Sequence, residues 1–181
     1  PDMTRLPYLD AGTGALGQGA SIAIGYALAA QLSKSDNRAY TIIGDGECQE
    51  GQIWEAAMYA SARGLDNVTV IIDVNRYQNE DSVEATLPMD SLPERWHSFG
   101  WRVFDIDGHD FRQILEAYAQ AKATKGQPSA IIARTVKGKG IGFMENNNAW
   151  HSNPMGEADY KEAVRQLKQP SGENVDTIPE K

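Results

Sequence analysis

Two short apolar runs, residues 39–43 (AYTII) and Val68–Val74 (VTVIIDV), each stop at polar or glycine residues, and one helix-length segment lies between them. Runs that are continuously apolar, rather than alternating, belong to strands buried on both faces. The segment between them, residues 50–63, brings Ile53, Trp54, Ala57, Met58 and Ala60 to one side at helical spacing, and Gly64 can end the helix. Strand, helix and strand over this length make a right-handed crossover between parallel neighbours. The pattern repeats downstream, with strands at 101–106 and 129–134 and helices at 92–99 and 111–123, the second capped by Asp110. Upstream, residues 20–32 form a small-residue helix, apolar nearly all round and therefore expected to be buried. Residues 75–88 read as a polar loop, 157–168 as a charged amphipathic helix and 169–181 as a tail. The expected fold is α/β, a mostly parallel sheet with helices on both faces, forming one domain over residues 1–168.

Sheets of this kind bind ligands beyond the carboxyl ends of their strands. The first strand ends in Gly44-Asp45-Gly46, and the second ends in Asn75, thirty positions after Asp45 (75 − 45). If the strands are neighbours, a carboxylate and an amide oxygen leave the same edge side by side. A hard divalent cation takes oxygen ligands of that kind and leaves places for phosphate oxygens and water. The backbone carbonyl of Tyr77 can complete the set, and Gly44 and Gly46 let backbone NH groups approach phosphates closely. Taken alone, Gly-Asp-Gly is more often an ordinary turn. The asparagine at the next strand end is what favours a site.

Composition narrows the classes of function. Lys and Arg total 17 against 25 Asp and Glu, a net charge of −8. That balance argues against nucleic-acid and anionic-membrane binding. Any phosphate must be held by backbone NH groups, a metal or a few placed cations. Cys48 is the single cysteine, so no intrachain disulfide can form, which fits a reducing cytoplasm. No apolar stretch approaches the roughly 20 residues of a membrane helix. Gly12, Gly14 and Gly17 satisfy G-x-G-x-x-G, but that dinucleotide motif needs a preceding strand and an acidic residue closing the next one. The segment before Gly12 is short and broken by Pro7, Asp36 lies in a polar loop, and Asp45 comes late.

GDGECQEG followed by VIIDVN resembles the thiamine-diphosphate signature, and residues 12–19 (GTGALGQG) are similar to the transketolase segment that runs TG-x-LGQG into a helix. The resemblance implies that Asp45, Asn75 and the Tyr77 carbonyl hold Mg²⁺ (or Ca²⁺ or Mn²⁺ in its place) against the diphosphate of thiamine diphosphate. It places Gly44, Gly46 and Glu47 beside that group, and Gly14, Ala15 and Leu16 at its aminopyrimidine and thiazolium rings. Glu50 and Glu55 match glutamates of a hydrogen-bonded acidic chain between two active sites across a dimer interface, although an acidic helix start is as often simple dipole compensation. The segment 143–151 resembles a loop of two-subunit transketolases whose histidine, here His151, reaches the diphosphate and the reaction centre. Ser152 stands where many relatives have glycine. Arg134-Thr135 replaces a common Lys-Thr, His97 reads as structural, and His109 is assigned no chemistry.

The family's pyrimidine-binding domain, with the glutamate that activates the coenzyme, matches no segment here. The resemblance therefore implies a hetero-oligomer, a dimer or α2β2 assembly with a pyrimidine-binding subunit or domain, and a chain lacking part of its N-terminal region. The implied reaction is transfer of a two-carbon ketol unit between sugar phosphates. The alternatives are a 2-oxoacid dehydrogenase decarboxylase component, a specialised thiamine-dependent acyl or ketol transferase, and a degenerate scaffold subunit.

Overall fold

The computed structural model of the chain describes residues 3–6 and 10–168. The tail expected at 169–181 lies outside them. The chain divides into two compact units, Pro1–Thr135 and Val136–Lys181.

In the first unit the elements run α1 (Gln18–Leu32), β1 (Ala39–Gly44), a 3-10 turn (Glu47–Gln49), α2 (Gly51–Ala62), β2 (Val68–Val74), α3 (Val83–Thr86), α4 (Leu92–Ser98), β3 (Arg102–Asp107), α5 (Phe111–Ala123) and β4 (Ser129–Arg134). All four strands are parallel, in the order β1-β2-β4-β3. The chain therefore passes from β2 out to β3 and returns to insert β4 between them. Periodicity found all four strands but carries no information on that order.

The register divides the sheet into two faces. Val68, Val70 and Ile72 of β2 line up with Ala39, Thr41 and Ile43 of β1 and, through Val70 and Ile72, with Ala130 and Ile132 of β4. This face carries the main core with α1, α2 and α4, whose Trp96 packs edge-on against Trp101 (4.8 Å between ring centres) and against Trp54 (5.5 Å). Buried aromatic clusters of this kind supply much apolar area and restrict the ring geometry. Two indoles also have partners, Trp101 Nε1 donating to Ala57 O (3.0 Å) and Trp54 Nε1 to Cys48 O (2.9 Å). On the opposite face α5 packs on β3 and β4, and its Tyr118 meets Tyr40 of β1 at 5.7 Å.

Three details differ from the sequence reading. Helix α1 buries only Ala20, Ala23, Ile24, Ala27 and Ala30, whereas Tyr26 is 51% and Leu32 75% exposed. Its apolar residues surround the axis, and within this unit only one side is covered. The helix after Gly44-Asp45-Gly46 begins at Gly51, because residues 47–49 wind more tightly first. The polar loop 75–88 contains the one-turn α3, capped by Ser82 Oγ, which accepts from Ala85 N (3.1 Å), with Val83 as its buried anchor.

The second unit is described over 136–168. Gly138 adopts φ 72°, and a Cβ there would stand 2.6 Å from the Met144 carbonyl oxygen. The loop closes through Asn146 N to Lys137 O (3.0 Å) and Gly140 N to Glu145 Oε1 (2.9 Å). A 3-10 turn (Asn148–Trp150) leads on, and α6 (Glu157–Lys168) occupies the span expected of the amphipathic helix. Gln166 of α6 accepts from Gly142 N at 2.7 Å.

Candidate functional site

The carboxyl tips of β1 and β2 lie together. Gly44 is the register partner of Asp73, and Asp45 N donates to Asp73 O (3.1 Å). Beyond the strands, Arg76 N donates to Asp45 Oδ2 at 2.7 Å, so the Asp45 carboxylate sits against the residue that follows Asn75. Gly46 N donates to Asp45 Oδ1 (2.9 Å). Asn75 forms a tight turn in which Tyr77 N donates to Asn75 Oδ1 (2.9 Å). Within this turn Arg76 takes φ 69°, a left-handed conformation uncommon for a non-glycine residue and often found at functional sites.

Asp45 is 3% exposed. Burial raises its pKa above the ordinary carboxylate value; the NH groups of Arg76 and Gly46 oppose that rise, and the nearby charge of Asp73 adds to it. Among the described residues no cationic side chain pairs with Asp45. A buried carboxylate held only by backbone donors is costly in its charged form, and a cation would relieve that cost. No group of three or more His, Cys, Asp or Glu among the described residues is arranged to hold a metal. One carboxylate, one amide oxygen and a backbone carbonyl instead suit a hard cation whose remaining ligands come from a phosphate and water. The residues present fit Mg²⁺ on a diphosphate.

Glu47 joins this site to the glycine-rich turn. Its Oε1 accepts from Gly17 N (2.8 Å) and its Oε2 from Gly44 N (3.1 Å). The N-terminus of α1 therefore already holds an anion, the protein's own carboxylate, which suits the positive end of the helix dipole. Gly17, at φ 82°, is the left-handed residue immediately before α1. Gly14, Ala15 and Leu16 stand exposed in the preceding turn, Leu16 at 58%, and a Cβ on Gly14 would meet nothing within 4 Å. Among the described residues no strand precedes this turn, as the dinucleotide reading would require. Gly46 is confined on its own account, since a Cβ would lie 2.9 Å from Gln78 Cβ.

The structure thus brings Gly44, Asp45, Gly46, Glu47, Asn75 and Tyr77 together at one sheet edge, with the turn at 14–17 attached through Glu47. Glu50 is the exposed residue preceding α2, and Glu55 is exposed on that helix one turn from Met58 and Tyr59, themselves 53% and 40% exposed. His151 belongs to the second unit, exposed, with Nδ1 3.5 Å from Lys137 Nζ. Cys48 is fully buried, and burial pushes its thiol pKa up, which leaves it inert. Two further residues at the sheet edge escaped the sequence reading, Asp73 inside an apolar run and Thr135 noted only as part of a substituted pair. Asn75 Nδ2 donates to Asp73 Oδ2 (3.2 Å), and Thr135 Oγ1 donates to Asp73 Oδ1.

The family described as "Transketolase, thiamine diphosphate binding domain" matches residues 1–179. The chain belongs to that family. It is 46% identical over 167 residues to the 6-deoxy-6-sulfo-D-fructose transketolase subunit SqwG of Clostridium sp. (strain MSTE9), covering 92% of this chain and 61% of that protein. It is 38% identical over 165 residues to one subunit of the apulose-4-phosphate transketolase of Phocaeicola vulgatus, covering 91% and 59%. Among solved structures, the transketolase of Campylobacter jejuni superposes with a TM-score of 0.81 at 36% identity, over 86% of this chain and 25% of that one. A transketolase from Pichia stipitis gives 0.84 at 27% identity, over 99% and 28%. This transketolase domain therefore spans about three fifths of the curated subunits it matches and about a quarter of the solved chains. No helix among its described residues is long and apolar enough to cross a membrane.

Proposed function

We propose that this chain is the diphosphate-holding half of a thiamine-diphosphate- and Mg²⁺-dependent transketolase that moves a two-carbon ketol unit from a ketose to an aldose, both sugar phosphates, in cytoplasmic carbohydrate metabolism. The observation that carries the proposal is the buried Asp45 carboxylate, unpaired by any cationic side chain among the described residues and seated beside the Asn75 turn. When bound, thiamine diphosphate supplies a carbanion that adds to a carbonyl and then serves as an electron sink. Asp45, Asn75 and the Tyr77 carbonyl hold the cation, with Ca²⁺ or Mn²⁺ able to stand in for Mg²⁺. Gly44 and Gly46 let the backbone approach the diphosphate. Gly14, Ala15 and Leu16 meet the ring portion, and Glu47 keeps their turn fixed to the metal side of the site. The resemblance also gives His151 the role of donating to a phosphate oxygen or relaying a proton.

Catalysis needs a pyrimidine-binding subunit or domain. The exposed apolar residues of α1 and α2, Tyr26, Leu32, Met58 and Tyr59, support such a partner, since two neighbouring helices that both expose large apolar side chains offer area for a partner to bury. Glu50 and Glu55, exposed on the same α2 region, are the candidates for the acidic chain at that interface. The Clostridium and Phocaeicola relatives are named as subunits and for particular sugars. They support an assembly of two kinds of chain and a specialised ketose donor, which a panel of ketose phosphates and modified ketoses would identify.

Calorimetric titration of the assembled protein with thiamine diphosphate and Mg²⁺ tests the reading. Asp45→Ala is expected to abolish Mg²⁺-dependent binding while the fold persists. Equal affinity in variant and wild type would refute the assignment.

A further inference from the structure

Asp73 connects the two proposed side-chain ligands of the cation, Asp45 and Asn75, without being a ligand itself. Its backbone carbonyl accepts from Asp45 N (3.1 Å), and its carboxylate accepts from Asn75 Nδ2 (3.2 Å). At the other end of the same amide, Asn75 Oδ1 accepts from Tyr77 N (2.9 Å). These two contacts determine which way the amide faces. A flipped amide would set two acceptors against each other at Asp73 and two donors against each other at Tyr77.

Asp73 is itself held from β4. Thr135 Oγ1 donates to Asp73 Oδ1, and Thr135 N donates to Val74 O (3.1 Å), which fixes the threonine on the tip of β2. Beyond β3, Gly108 N donates to Arg134 O (2.8 Å), and a Cβ on Gly108 would lie 2.6 Å from Thr135 Cγ2 and 3.1 Å from Arg134 O. Only a residue without a side chain lets the β3 tip approach the threonine this closely. A chain of contacts thus runs from Gly108 through Thr135 and Asp73 to Asn75, across the tips of three strands.

We propose that Asp73, braced by Thr135, is the positioning residue of the cation site, presenting the oxygen of the Asn75 amide rather than its nitrogen. The inference rests on the cation site proposed above. Loss of an outer group that orients a metal ligand typically costs about 10–100-fold in metal affinity.

The test is a Mg²⁺ titration of the assembled protein at saturating thiamine diphosphate, read by tryptophan fluorescence. Trp54 donates to the carbonyl of Cys48 in the turn after Gly44-Asp45-Gly46 and is a local reporter. Asp73→Ala is expected to raise the Mg²⁺ concentration for half-saturation by about tenfold or more. Asp73→Asn is expected to stay near wild type, because its side-chain oxygen still accepts from Asn75 and its amide still meets the threonine oxygen. Thr135→Val is expected to weaken binding several-fold and Thr135→Ser to restore it, a pair that carries the test should Asp73→Ala fail to fold. In the protein without cofactor, the Asn75 side-chain amide resonances should shift further in Asp73→Ala than in Asp73→Asn. Wild-type Mg²⁺ affinity in Asp73→Ala and Thr135→Val, or an Asp73→Asn defect as large as that of Asp73→Ala, would overturn the positioning role and leave the cation site standing. Mg²⁺-independent cofactor binding in wild type would instead overturn the cation site.

Discussion

Glu47 and Arg76 each do something local that a substitution can isolate. Glu47 uses both carboxylate oxygens to bind Gly17 N and Gly44 N, so it links the turn before α1 to the end of β1. Glutamine can keep one such acceptor, whereas alanine keeps none and leaves two backbone donors to find water. Glu47→Ala is expected to weaken thiamine diphosphate binding by about 1–3 kcal/mol, the range for a backbone donor left without its acceptor, and Glu47→Gln by less. Calorimetry on both variants checks the ranking; an unchanged affinity in Glu47→Ala would remove its role. Arg76 holds φ 69° so that its NH can reach Asp45. Arg76→Gly is expected to keep both fold and binding, while Arg76→Val should cost roughly 1–2 kcal/mol more in denaturant unfolding, because a β-branched residue is strained there.

At the scale of elements, the strands were legible because buried parallel strands are written as near-continuous apolar runs, and Val68–Val74 and Ser129–Arg134 match the expected spans. Helix α5 was legible down to its cap, since Asp110 accepts from Arg112 N (2.8 Å) and Gln113 N (3.3 Å). The hydrogen bond from the Gln113 side chain, together with these NH groups, lowers the Asp110 pKa below its ordinary value. A lowered folded-state pKa means that the stabilisation is present above the unfolded value and fades as pH falls through the folded one. Asp110→Ala is therefore expected to lower the melting temperature at pH 7, with the deficit shrinking below about pH 3.8, the ordinary carboxylate value. Other features were hidden for physical reasons. Helix α3 is a single turn made by one cap and one buried valine, too short for periodicity to register. The outer side of α1 could not be told from its inner side, because apolar residues occupy both. Asp73 was masked by the apolar run around it, and only strand order shows that Thr135 of the β4 tip reaches it.

For the molecule as a whole, the proposed constellation on the tips of β1 and β2 would let a chain of net charge −8 hold phosphate. A divalent cation would supply the positive charge there, and backbone NH groups much of the rest. The chain spans 61% and 59% of the Clostridium and Phocaeicola subunits, and in the proposed assembly a pyrimidine-binding partner would complete the active site. Met58, 53% exposed beside Glu55 on α2, offers a way to probe that dependence. Met58→Lys is expected to leave the melting temperature of the isolated chain nearly unchanged and to weaken assembly by roughly 1.5–3 kcal/mol, the value of burying one such side chain. Sedimentation of variant and wild type with the partner would show it, and an unaltered association constant would remove α2 from the interface.

In the proposed site Asp45 and Asn75 share one cation with the cofactor diphosphate. Mn²⁺ in place of Mg²⁺ makes that ion visible to electron–nuclear double resonance. With thiamine diphosphate bound, wild type is expected to show phosphorus couplings to a protein-held Mn²⁺, and Asp45→Ala and Asn75→Leu are expected to lose that ion. Mn²⁺ bound equally in all three proteins, or without phosphorus coupling in wild type, would contradict a cation shared by Asp45, Asn75 and the diphosphate.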